Sequence, residues 1–508
     1  MSAFFSLVNL NQSLEQLKWP AWNCWPYSFR IDRSIGMEET IVNSGISLNS
    51  LFNLFYQHLW LMAGFVLAFI LVANILQHQR QSSTSLAWII SIVLIPYIAI
   101  PLYIIFGGRK LRYLIKTKKP IYNHECSLQL PANASQVAKL LCSHNLPPPR
   151  AGNEIRLLQS SDAYSELIQL IDSAEKSIDI EMFILARDEV GKTIFNRLCE
   201  RASHGIKVRL LVDALGSFPT RFGMLRRLET AGGKTAIFMP MFPIQRRWSA
   251  NLRNHRKLVI IDGHTALTGG MNLGGDYMGP QSDNNRWIDT LTLLKGPAVA
   301  DLMDVFSGDW QFATGQDNKI VPATTPPESG SRRAQIIPSG PDIYGDPLYD
   351  LLLSSIYNAE KRIWICTPYF VPDQGMTRAL KIAELAGVDV KLIMPRHSNH
   401  PIADQARNRL LRELQRYDAE IYLHSRMMHA KHILIDDNFA LTGSANIDMR
   451  SLYLNYELSL LSDSPETIKE VEEWMCDLMS ECKRENLLEH NHLRRWTEDF
   501  CWLLSPLL

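Results

Sequence analysis

Two copies of one short motif in this sequence carry residues that could do chemistry. Each copy joins a histidine to a lysine two residues later and an aspartate seven residues later: His255, Lys257 and Asp262 in the first copy, and His429, Lys431 and Asp436 in the second. After six further residues, both copies continue with a Gly-x-x-Asn sequence, which ends at Asn272 or at Asn446. One such match is a weak signal, but two copies with identical spacing indicate a repeated catalytic site.

The spacing of the motif suits attack on a phosphodiester. The apolar run after each lysine is typical of a buried β-strand, and side chains two residues apart on a strand share a face. The imidazole and the ammonium should therefore point the same way, the first as nucleophile or proton carrier and the second as partner of a phosphate oxygen. Asn272 and Asn446 could add amide donors. The alternative, an exposed strand with solvated side chains, is disfavoured by two matching copies.

The elements around the motifs also repeat. The hydrophobic pattern predicts helices and strands in two similar halves, with helices near Ala163–Lys176, Val190–His204, Leu348–Lys361 and Met376–Leu385, and strands at Ser177–Leu185, Ile206–Val212, Arg362–Cys366 and Val388–Met394. This alternation favours an α/β fold with two pseudo-repeated lobes, each a mostly parallel sheet covered by helices. A Pro/Thr/Ser-rich stretch between the halves is typical of a linker.

Two apolar segments precede the lobes, and each is long enough to cross a bilayer core of about 30 Å as a helix. They are Leu59–Leu76 and Leu86–Phe106, and the short gap between them predicts a tight two-span hairpin. Pro96 and Pro101 lie in the second segment, where a membrane helix tolerates them better than a soluble one. Buried core helices, or a signal peptide for the first segment, are the alternatives, but a signal peptide would not start near residue 59.

Positive charge is concentrated directly after the second apolar segment. The residues concerned are Arg109, Lys110, Arg112, Lys116, Lys118 and Lys119. Because the predicted hairpin loop is poor in Lys and Arg, the positive-inside rule places the motifs on the cytoplasmic side. The basic cluster could also contact anionic headgroups, or could serve only to stop transfer. Three tryptophans of the N-terminal segment, Trp19, Trp22 and Trp25, could lie at the membrane interface or in a solvated loop.

The predicted domain boundaries follow from these features. They are an N-terminal segment at 1–58, a two-span transmembrane hairpin at 59–106, a basic juxtamembrane linker at 107–152, a first lobe at 153–314, a linker at 315–331 and a second lobe at 332–508. The formal net charge is zero, so overall charge gives no reason to expect a nucleic acid partner. Outside the motifs no Cys, His, Asp or Glu cluster has metal-ligand spacing, and we expect neither a metal nor another cofactor.

The paired motifs resemble those of the phospholipase D superfamily. The resemblance implies that both motifs meet at one active site on a pseudo-twofold axis, with phospholipase D-like lobes on either side. It also implies that one histidine attacks phosphorus to form a phosphohistidine, while the other protonates the leaving alcohol and no metal takes part. By the usual order in that superfamily, His255 is the nucleophile and His429 is the general acid.

The same resemblance implies supporting residues. Glu457 matches a carboxylate that accepts a hydrogen bond from a motif histidine, and Asp289 looks like its counterpart in the first half. Ser444, within the second Gly-x-x-Asn sequence, is a third supporting candidate. Either acid could instead be a solvated residue at a strand edge.

Within that superfamily the chain is similar to bacterial cardiolipin synthases from about residue 59 to the C-terminus. The similar segments are the two apolar spans that end in Tyr103-Ile-Ile-Phe-Gly107, Asn254-His-Arg-Lys257, Gly269-Gly-Met-Asn272, Thr367-Pro-Tyr-Phe-Val-Pro372 and Leu503-Leu-Ser-Pro-Leu-Leu508. That family condenses two phosphatidylglycerols into cardiolipin and glycerol, which implies phospholipid substrates and a multi-pass protein of the bacterial inner membrane. The chain departs from the family at Ile288, where an arginine is usual.

Other functions share part of this pattern. A transphosphatidylase that uses phosphatidylethanolamine as donor, or a hydrolytic phospholipase D, would carry every motif named above, so only product analysis separates them. A nuclease of the same superfamily would need a basic groove with interleaved aromatic residues, and the apolar spans and neutral charge disfavour it. Complete motifs in both halves disfavour a non-catalytic membrane scaffold.

Overall fold

A computed structural model gives the fold of most of the chain. The described residues are 48–77, 82–106, 118, 120–122, 135–221, 223–240, 252–315, 324–488 and 492–503. They divide into one compact unit that ends at Ile100 and a second that begins at Pro101. Several predictions fall outside these residues: the N-terminal tryptophans, most of the basic cluster, the tip of the predicted hairpin, part of the linker at 315–331 and the last five residues.

One described helix in the N-terminal region is long and apolar enough to cross a membrane. Helix α1 spans Leu48–Gln77 and contains the 25-residue apolar stretch Phe52–Leu76. The predicted second span is not confirmed as a single helix, because it is divided into α2, Ser82–Leu94, and α3, Pro96–Phe106. The break follows from Pro96, which has no N–H to donate to the preceding turn and disfavours helical geometry at the residue before it.

Among the described residues, the second unit contains one large sheet and a separate pair of short strands. Its strands are β1 Arg150–Gln159, β2 Ser177–Met182, β3 Lys207–Asp213, β4 Lys234–Phe238, β5 Leu258–Ile261, β6 Thr265–Gly269, β7 Thr290–Lys295, β8 Arg332–Ser339, β9 Arg362–Cys366, β10 Phe370–Val371, β11 Asp389–Pro395, β12 Glu420–His424, β13 His432–Ile435, β14 Phe439–Gly443, β15 Ile447–Asp448, β16 Glu457–Ser462 and β17 Lys483–Arg484. Within the described residues, fifteen of them are ordered β17-β12-β11-β9-β13-β14-β16-β8-β1-β7-β6-β5-β2-β3-β4. Strands β10 and β15 form a separate parallel pair.

The strand order shows the predicted repeat. Reading outward from the centre, β1-β7-β6-β5-β2-β3-β4 of the first lobe matches β8-β16-β14-β13-β9-β11-β12 of the second. The lobes share one sheet, because β1 pairs with β8 in an antiparallel register. Each motif strand, β5 or β13, has the same position in its lobe.

The prediction of mostly parallel sheets is wrong, because the sheet is mixed. Only the outer strands pair in parallel, β2 with β3 and β3 with β4 in the first lobe, and β9 with β11 and β11 with β12 in the second. The motif strand instead forms a hairpin with the strand that follows it, β5 with β6 and β13 with β14. A short turn can join only antiparallel neighbours, whereas a parallel pair needs a crossover helix.

Helices cover both faces of the sheet. The helices of this unit after α3 are α4 Gln136–Ser143, α5 Ser160–Ser173, α6 Glu189–Ser203, α7 Met224–Thr230, α8 Val299–Thr314, α9 Pro347–Tyr357, α10 Gln374–Leu385, α11 Pro401–Gln415, α12 Met449–Tyr453, α13 Pro465–Glu481 and α14 His492–Leu503. On β5, Leu258 and Ile260 join one hydrophobic cluster, whereas Val259 and Ile261 join another. Each such fully buried side chain stabilises the fold by about 1.5–3 kcal/mol, so the strand that carries the first motif is rigidly held.

Candidate active site

A β-bridge between the two lobes positions the first histidine. Asn254 pairs in parallel with Tyr456 of the second lobe. The backbone N–H of His255 donates to the carbonyl of Tyr456 at 2.8 Å, and Tyr456 donates in turn to the carbonyl of Arg253 at 2.9 Å. This register sets His255 beside the next residue of the other lobe, Glu457, with 3.4 Å between Nδ1 and Oε1.

A second bridge with the same register positions the other histidine. Ile288 of the first lobe pairs in parallel with Met428, and the N–H of His429 donates to the carbonyl of Ile288 at 2.7 Å. The residue after Ile288 is Asp289, whose Oδ2 accepts a hydrogen bond from Nδ1 of His429 at 2.7 Å. Each carboxylate therefore serves the histidine of the opposite lobe, which the spacing within one motif could not reveal.

Both motif lysines turn back over their histidines. Nζ of Lys257 donates to the carbonyl of His255 at 2.8 Å, and Nζ of Lys431 donates to the carbonyl of His429. Lys431 also lies 2.8 Å from Nδ1 of His429, but that nitrogen directs its hydrogen to Asp289. Each ammonium group therefore lies beside the histidine of its own motif.

Electrostatic effects between the lobes indicate that the two motifs lie close together. Burial and the charge of Lys257 lower the pKa of His255 well below its ordinary value, and His429 and Lys431 of the second lobe contribute to the same shift. Burial, opposed by Glu457, lowers the pKa of Lys257. The positive charges that help to lower the pKa of His255 would suit an anionic phosphate in this site.

The second motif shows the same effects. Burial and the charge of Lys431 lower the pKa of His429 to about 4, although Asp289 opposes the shift. Burial likewise lowers the pKa of Lys431 to about 7. Without an anion in the site, both imidazoles are therefore neutral at neutral pH.

The two carboxylates differ in charge. Burial alone would raise the pKa of Asp289, but the adjacent His429 outweighs it, and the pKa lies below its ordinary value. Burial raises the pKa of Glu457 to about 7, against the opposing effects of Lys257 and Ser444. Asp289 is thus ionised at neutral pH, whereas Glu457 is near the midpoint of its titration.

The second residue of each Gly-x-x-Asn sequence fits the carboxylate beside it. In the first lobe this residue is Gly270, where a Cβ would lie only 2.2 Å from Oδ1 of Asp289. In the second lobe it is Ser444, whose hydroxyl donates to Oε2 of Glu457 at 2.5 Å and accepts from the N–H of Leu458 at 3.0 Å. The difference between Gly and Ser at this position therefore matches the difference between Asp289 and Glu457.

Both motif asparagines are buried. Oδ1 of Asn272 accepts from the N–H of Ile184 at 3.1 Å, and the same amide contacts the hydroxyl of Tyr277. Nδ2 of Asn446 lies 3.4 Å from Oγ of Ser451, while its Oδ1 is buried and has no hydrogen-bond partner among the described residues. The unpaired oxygen can only accept a hydrogen bond, so it is the Nδ2 of this amide, held by a long contact to Ser451, that could donate to an anion.

Aromatic residues that the motif spacing did not predict surround the histidines. The ring of Phe183 lies 4.1 Å from that of His255, centroid to centroid. The rings of Tyr277 and Trp287 lie 5.3 and 5.6 Å from that of His429. Trp287 could have been found from its place two residues before Asp289, whereas Phe183 gives no signal in sequence because β2 brings it to the site from a distant part of the chain.

The structure does not bring the motif aspartates to the histidines, and their prediction as catalytic residues is corrected. Asp262 lies at the far end of β5, where it accepts hydrogen bonds from the backbone N–H groups of residues 175–177 at 2.9, 2.6 and 2.8 Å. Asp436 does the same at the end of β13, accepting from residues 360–362 at 3.0, 2.8 and 2.9 Å. An extended strand separates its two ends, so both aspartates hold turns instead.

This chain is similar to known proteins in sequence and in fold. The family model described as the PLD-like domain of cardiolipin synthase matches residues 167–310 and 352–479, and a phospholipase D–nuclease N-terminal model matches 66–108. A cardiolipin synthase of Clostridium perfringens is 33% identical over 454 residues, covering 85% of this chain and 95% of the relative. The chain belongs to the cardiolipin synthase family.

Other cardiolipin synthases give the same result. Cardiolipin synthase 1 of Bacillus anthracis is 30% identical over 85% of this chain and 90% of its own length, and cardiolipin synthase A of Pseudomonas fluorescens is 31% identical over 84% and 94%. Among solved structures, a phosphatidylserine synthase of Haemophilus influenzae aligns with a TM-score of 0.56 at 15% identity, over 73% of this chain and 98% of that one. This likeness shows that the two proteins share a fold.

The departure from the usual family sequence at Ile288 leaves the site backbone intact. Ile288 donates its N–H to the carbonyl of Met427 at 2.9 Å, and its own carbonyl accepts from His429 and Ala430 at 2.7 and 3.2 Å. These contacts use only backbone atoms. The bridge that aligns Asp289 with His429 therefore does not require an arginine at position 288.

Proposed function

We propose that the chain transfers a phosphatidyl group from one phosphatidylglycerol to the hydroxyl of another, which yields cardiolipin and glycerol. The observation that carries the proposal is the pair of histidine–carboxylate contacts that cross between the lobes, His255 with Glu457 and His429 with Asp289. Two histidines with separate carboxylates suit a reaction in two steps, in which one forms a covalent intermediate and the other moves protons. Membership of the cardiolipin synthase family supports the lipid substrate.

In the first step, Nε2 of His255 attacks phosphorus and the bond from phosphorus to the glycerol oxygen breaks. His429 gives its proton to that oxygen, and glycerol leaves. The lowered pKa of His255 supports its role as nucleophile, because the ring is deprotonated at neutral pH. The close contact with ionised Asp289 supports His429 as the acid, since a carboxylate stabilises the imidazolium that must form before transfer.

In the second step, the hydroxyl of another phosphatidylglycerol gives its proton to His429 and attacks phosphorus. The bond from phosphorus to Nε2 of His255 then breaks, which restores the enzyme. Lys257 and Lys431 hold the non-bridging oxygens in both steps, and the amides of Asn272 and Asn446 add donors to the developing charge. Neither step requires a metal or another cofactor.

The same proposal includes the membrane. The described helix Phe52–Leu76 fits a membrane anchor, and we propose that residues 59–106 cross the bilayer twice, with the second crossing kinked at Pro96. The catalytic region, formed by the lobes at 153–314 and 332–508, would then lie on the cytoplasmic side of a bacterial inner membrane. An anchored site meets donor and acceptor lipids at high effective concentration.

Product analysis tests this function. The full-length protein, incubated with phosphatidylglycerol in mixed micelles, should give mainly cardiolipin and glycerol. His255→Ala and His429→Ala should each abolish the reaction, with a loss beyond about 10²–10⁴ for the nucleophile. The matched control is His264→Ala, because His264 is an exposed histidine in the turn after β5 and should retain full activity.

The remaining functions are outcomes of the same assay. Phosphatidic acid as the main product would overturn the proposal in favour of a hydrolytic phospholipase D. Cardiolipin formed only when phosphatidylethanolamine is added would identify that lipid as the donor. Near-normal turnover in either histidine variant would contradict the shared site.

A further inference from the structure

One lysine of the basic juxtamembrane cluster is buried in the second unit. Lys118 is only 4% exposed, although the basic cluster that contains it is predicted to contact anionic headgroups or to stop transfer. Its Nζ forms ion pairs with Asp309 and with Asp342, the latter at 2.7 Å. A lysine that is buried at such a cost must be compensated by its partners, so this contact is specific.

The carboxylates that hold Lys118 also hold the residue between His255 and Lys257. Arg256 is fully buried, and its guanidinium donates to Oδ2 of Asp309 at 2.7 Å and to both oxygens of Asp342 at 3.1 Å. Because successive side chains of an extended segment point in opposite directions, a fixed Arg256 directs its two neighbours into the site.

The charges of this buried group balance only when Lys118 is present. Asp309 and Asp342 supply two negative charges, and Arg256 and Lys118 supply two positive charges. Burial and the proximity of Asp309 raise the pKa of a third acid, Glu181, well above the ordinary value. Loss of Lys118 would leave an uncompensated negative charge in the interior, which is strongly unfavourable.

Lys118 also contacts Tyr456 of the second lobe, the residue that precedes Glu457. Its ammonium lies 4.3 Å from the ring centroid of Tyr456, a distance typical of a cation–π contact. The backbone of Tyr456 forms the bridge to the segment of His255, and the next residue is Glu457. Lys118 therefore touches Tyr456 on one side of the contact that sets His255 against its carboxylate, and shares Asp309 and Asp342 with Arg256 on the other side.

We propose that Lys118 is a positioning residue for the pair His255 and Glu457, so that the juxtamembrane segment is part of the catalytic structure and more than a tether. The proposal rests on the function proposed above for the role of His255. It acts through Arg256 and Tyr456, and Lys118 itself does not touch the substrate.

The test uses full-length variants in detergent micelles with phosphatidylglycerol, and counts the glycerol released. Lys118→Met should lower kcat about tenfold or more, because small displacements of a nucleophile are costly, and should leave KM within about threefold. Lys119→Met removes the same charge from the same basic segment and should retain the wild-type kcat. Equal losses in both variants would overturn the proposal, since the charge of the segment would then be what matters.

A rescue experiment separates positioning from a general loss of stability. Lys118→Met combined with Asp342→Asn restores charge balance in the buried group, so the double variant should turn over faster than either single variant. A double variant no faster than the slower single variant would contradict the proposal. The comparison of the double variant with Asp342→Asn also stands if Lys118→Met alone does not fold.

The two proposals fail in different ways. Glycerol is released from phosphatidylglycerol in both synthesis and hydrolysis, so it reports on positioning whichever acceptor is used. The ratio of cardiolipin to phosphatidic acid reports only on the proposed function.

Discussion

At the scale of single residues, the two groups with a pKa near 7 should control the pH dependence of the reaction. Ionisation of Glu457, with a pKa of about 7, strengthens its hold on the Nδ1–H of His255 and makes the ring a better nucleophile, so kcat/KM should rise with pH through 7. Lys431, also with a pKa of about 7, loses its charge over the same range and weakens phosphate binding. The profile should be a narrow bell.

Glu457→Gln tests this assignment. The variant has no ionisation at this position, so the rising limb should disappear while the falling limb of Lys431 stays. The measurement is kcat/KM from pH 5.5 to 9 for glycerol release from phosphatidylglycerol. Lys431→Arg is the complementary control and should move the falling limb to higher pH, because arginine stays charged. A rising limb that persists in Glu457→Gln would assign it to another group.

The low pKa of His429, set against its proposed role as general acid, gives a second prediction. In the unliganded site its pKa is about 4, so the ring is neutral at pH 7, yet a general acid must carry a proton. An anionic phosphodiester should raise that pKa, and binding should therefore take up a proton. Calorimetry in buffers of different ionisation enthalpy can count this proton in His255→Ala, which binds phosphatidylglycerol without turnover. His255→Ala/His429→Ala should take up fewer protons, because only groups such as Lys431 and Glu457, each with a pKa of about 7, then remain to take them up. Equal uptake in both variants would contradict the role of His429.

At the scale of elements, the two motif aspartates should support folding and leave the chemistry unchanged. Each accepts three backbone N–H groups from the turn before a neighbouring strand, and each adopts a positive φ, 53° at Asp262 and 50° at Asp436. Asp262→Ala leaves these donors without an acceptor and should cost about 1–3 kcal/mol of stability. Thermal unfolding should detect the loss, while kcat per folded molecule stays close to wild type.

The pH dependence of this effect has a defined sign. Although burial alone would raise the pKa of Asp262, the three backbone donors outweigh it and the pKa lies below the ordinary value. A depressed pKa means that stability is present above the unfolded value, about 3.9, and is lost as pH falls through the folded value. The stability difference between wild type and Asp262→Asn should therefore shrink below about pH 4. A constant difference would contradict the assigned contact.

Elements with strong local signals were predicted well from sequence. The strand Arg362–Cys366 has the predicted bounds, and the helix predicted at Val190–His204 spans Glu189–Ser203. The mixed sheet is not expected from the alternation of helices and strands, which favours parallel pairing, although Asp262-Gly263 between β5 and β6 is a dipeptide typical of a tight hairpin. The order of strands shows that local periodicity does not determine which strands become neighbours.

The sequence predicts which residues belong to the candidate site better than it predicts which of them contact one another. The histidines, lysines and asparagines were found from repeated spacing, and Asp289 and Glu457 from resemblance. That each carboxylate faces the histidine of the other lobe depends on bridges between residues more than a hundred positions apart. The contact of Lys118 with Asp342 likewise links distant parts of the chain, and a basic cluster in sequence predicts only a surface.

At the scale of the whole molecule, the proposed reaction has to exclude water. Water is present at about 55 M, so an open phosphohistidine would mostly hydrolyse, and a synthase must desolvate the intermediate or hold the acceptor hydroxyl close to it. The lobes form a single sheet-based unit, and the histidine of each lobe relies on the carboxylate of the other. Both histidines and both carboxylates belong to the lobes. We expect the N-terminal helices to contribute to acceptor supply.

Removal of residues 1–106 should separate chemistry from acceptor supply. The shortened protein keeps both motifs and Lys118, so glycerol release from phosphatidylglycerol should persist and should still be abolished by His255→Ala. Cardiolipin synthesis should fall, and the phosphatidic acid fraction should rise, because the site no longer meets a second lipid at the bilayer surface. The matched control is the full-length protein in the same micelles. An unchanged ratio of cardiolipin to phosphatidic acid would show that the pocket alone selects the lipid hydroxyl over water.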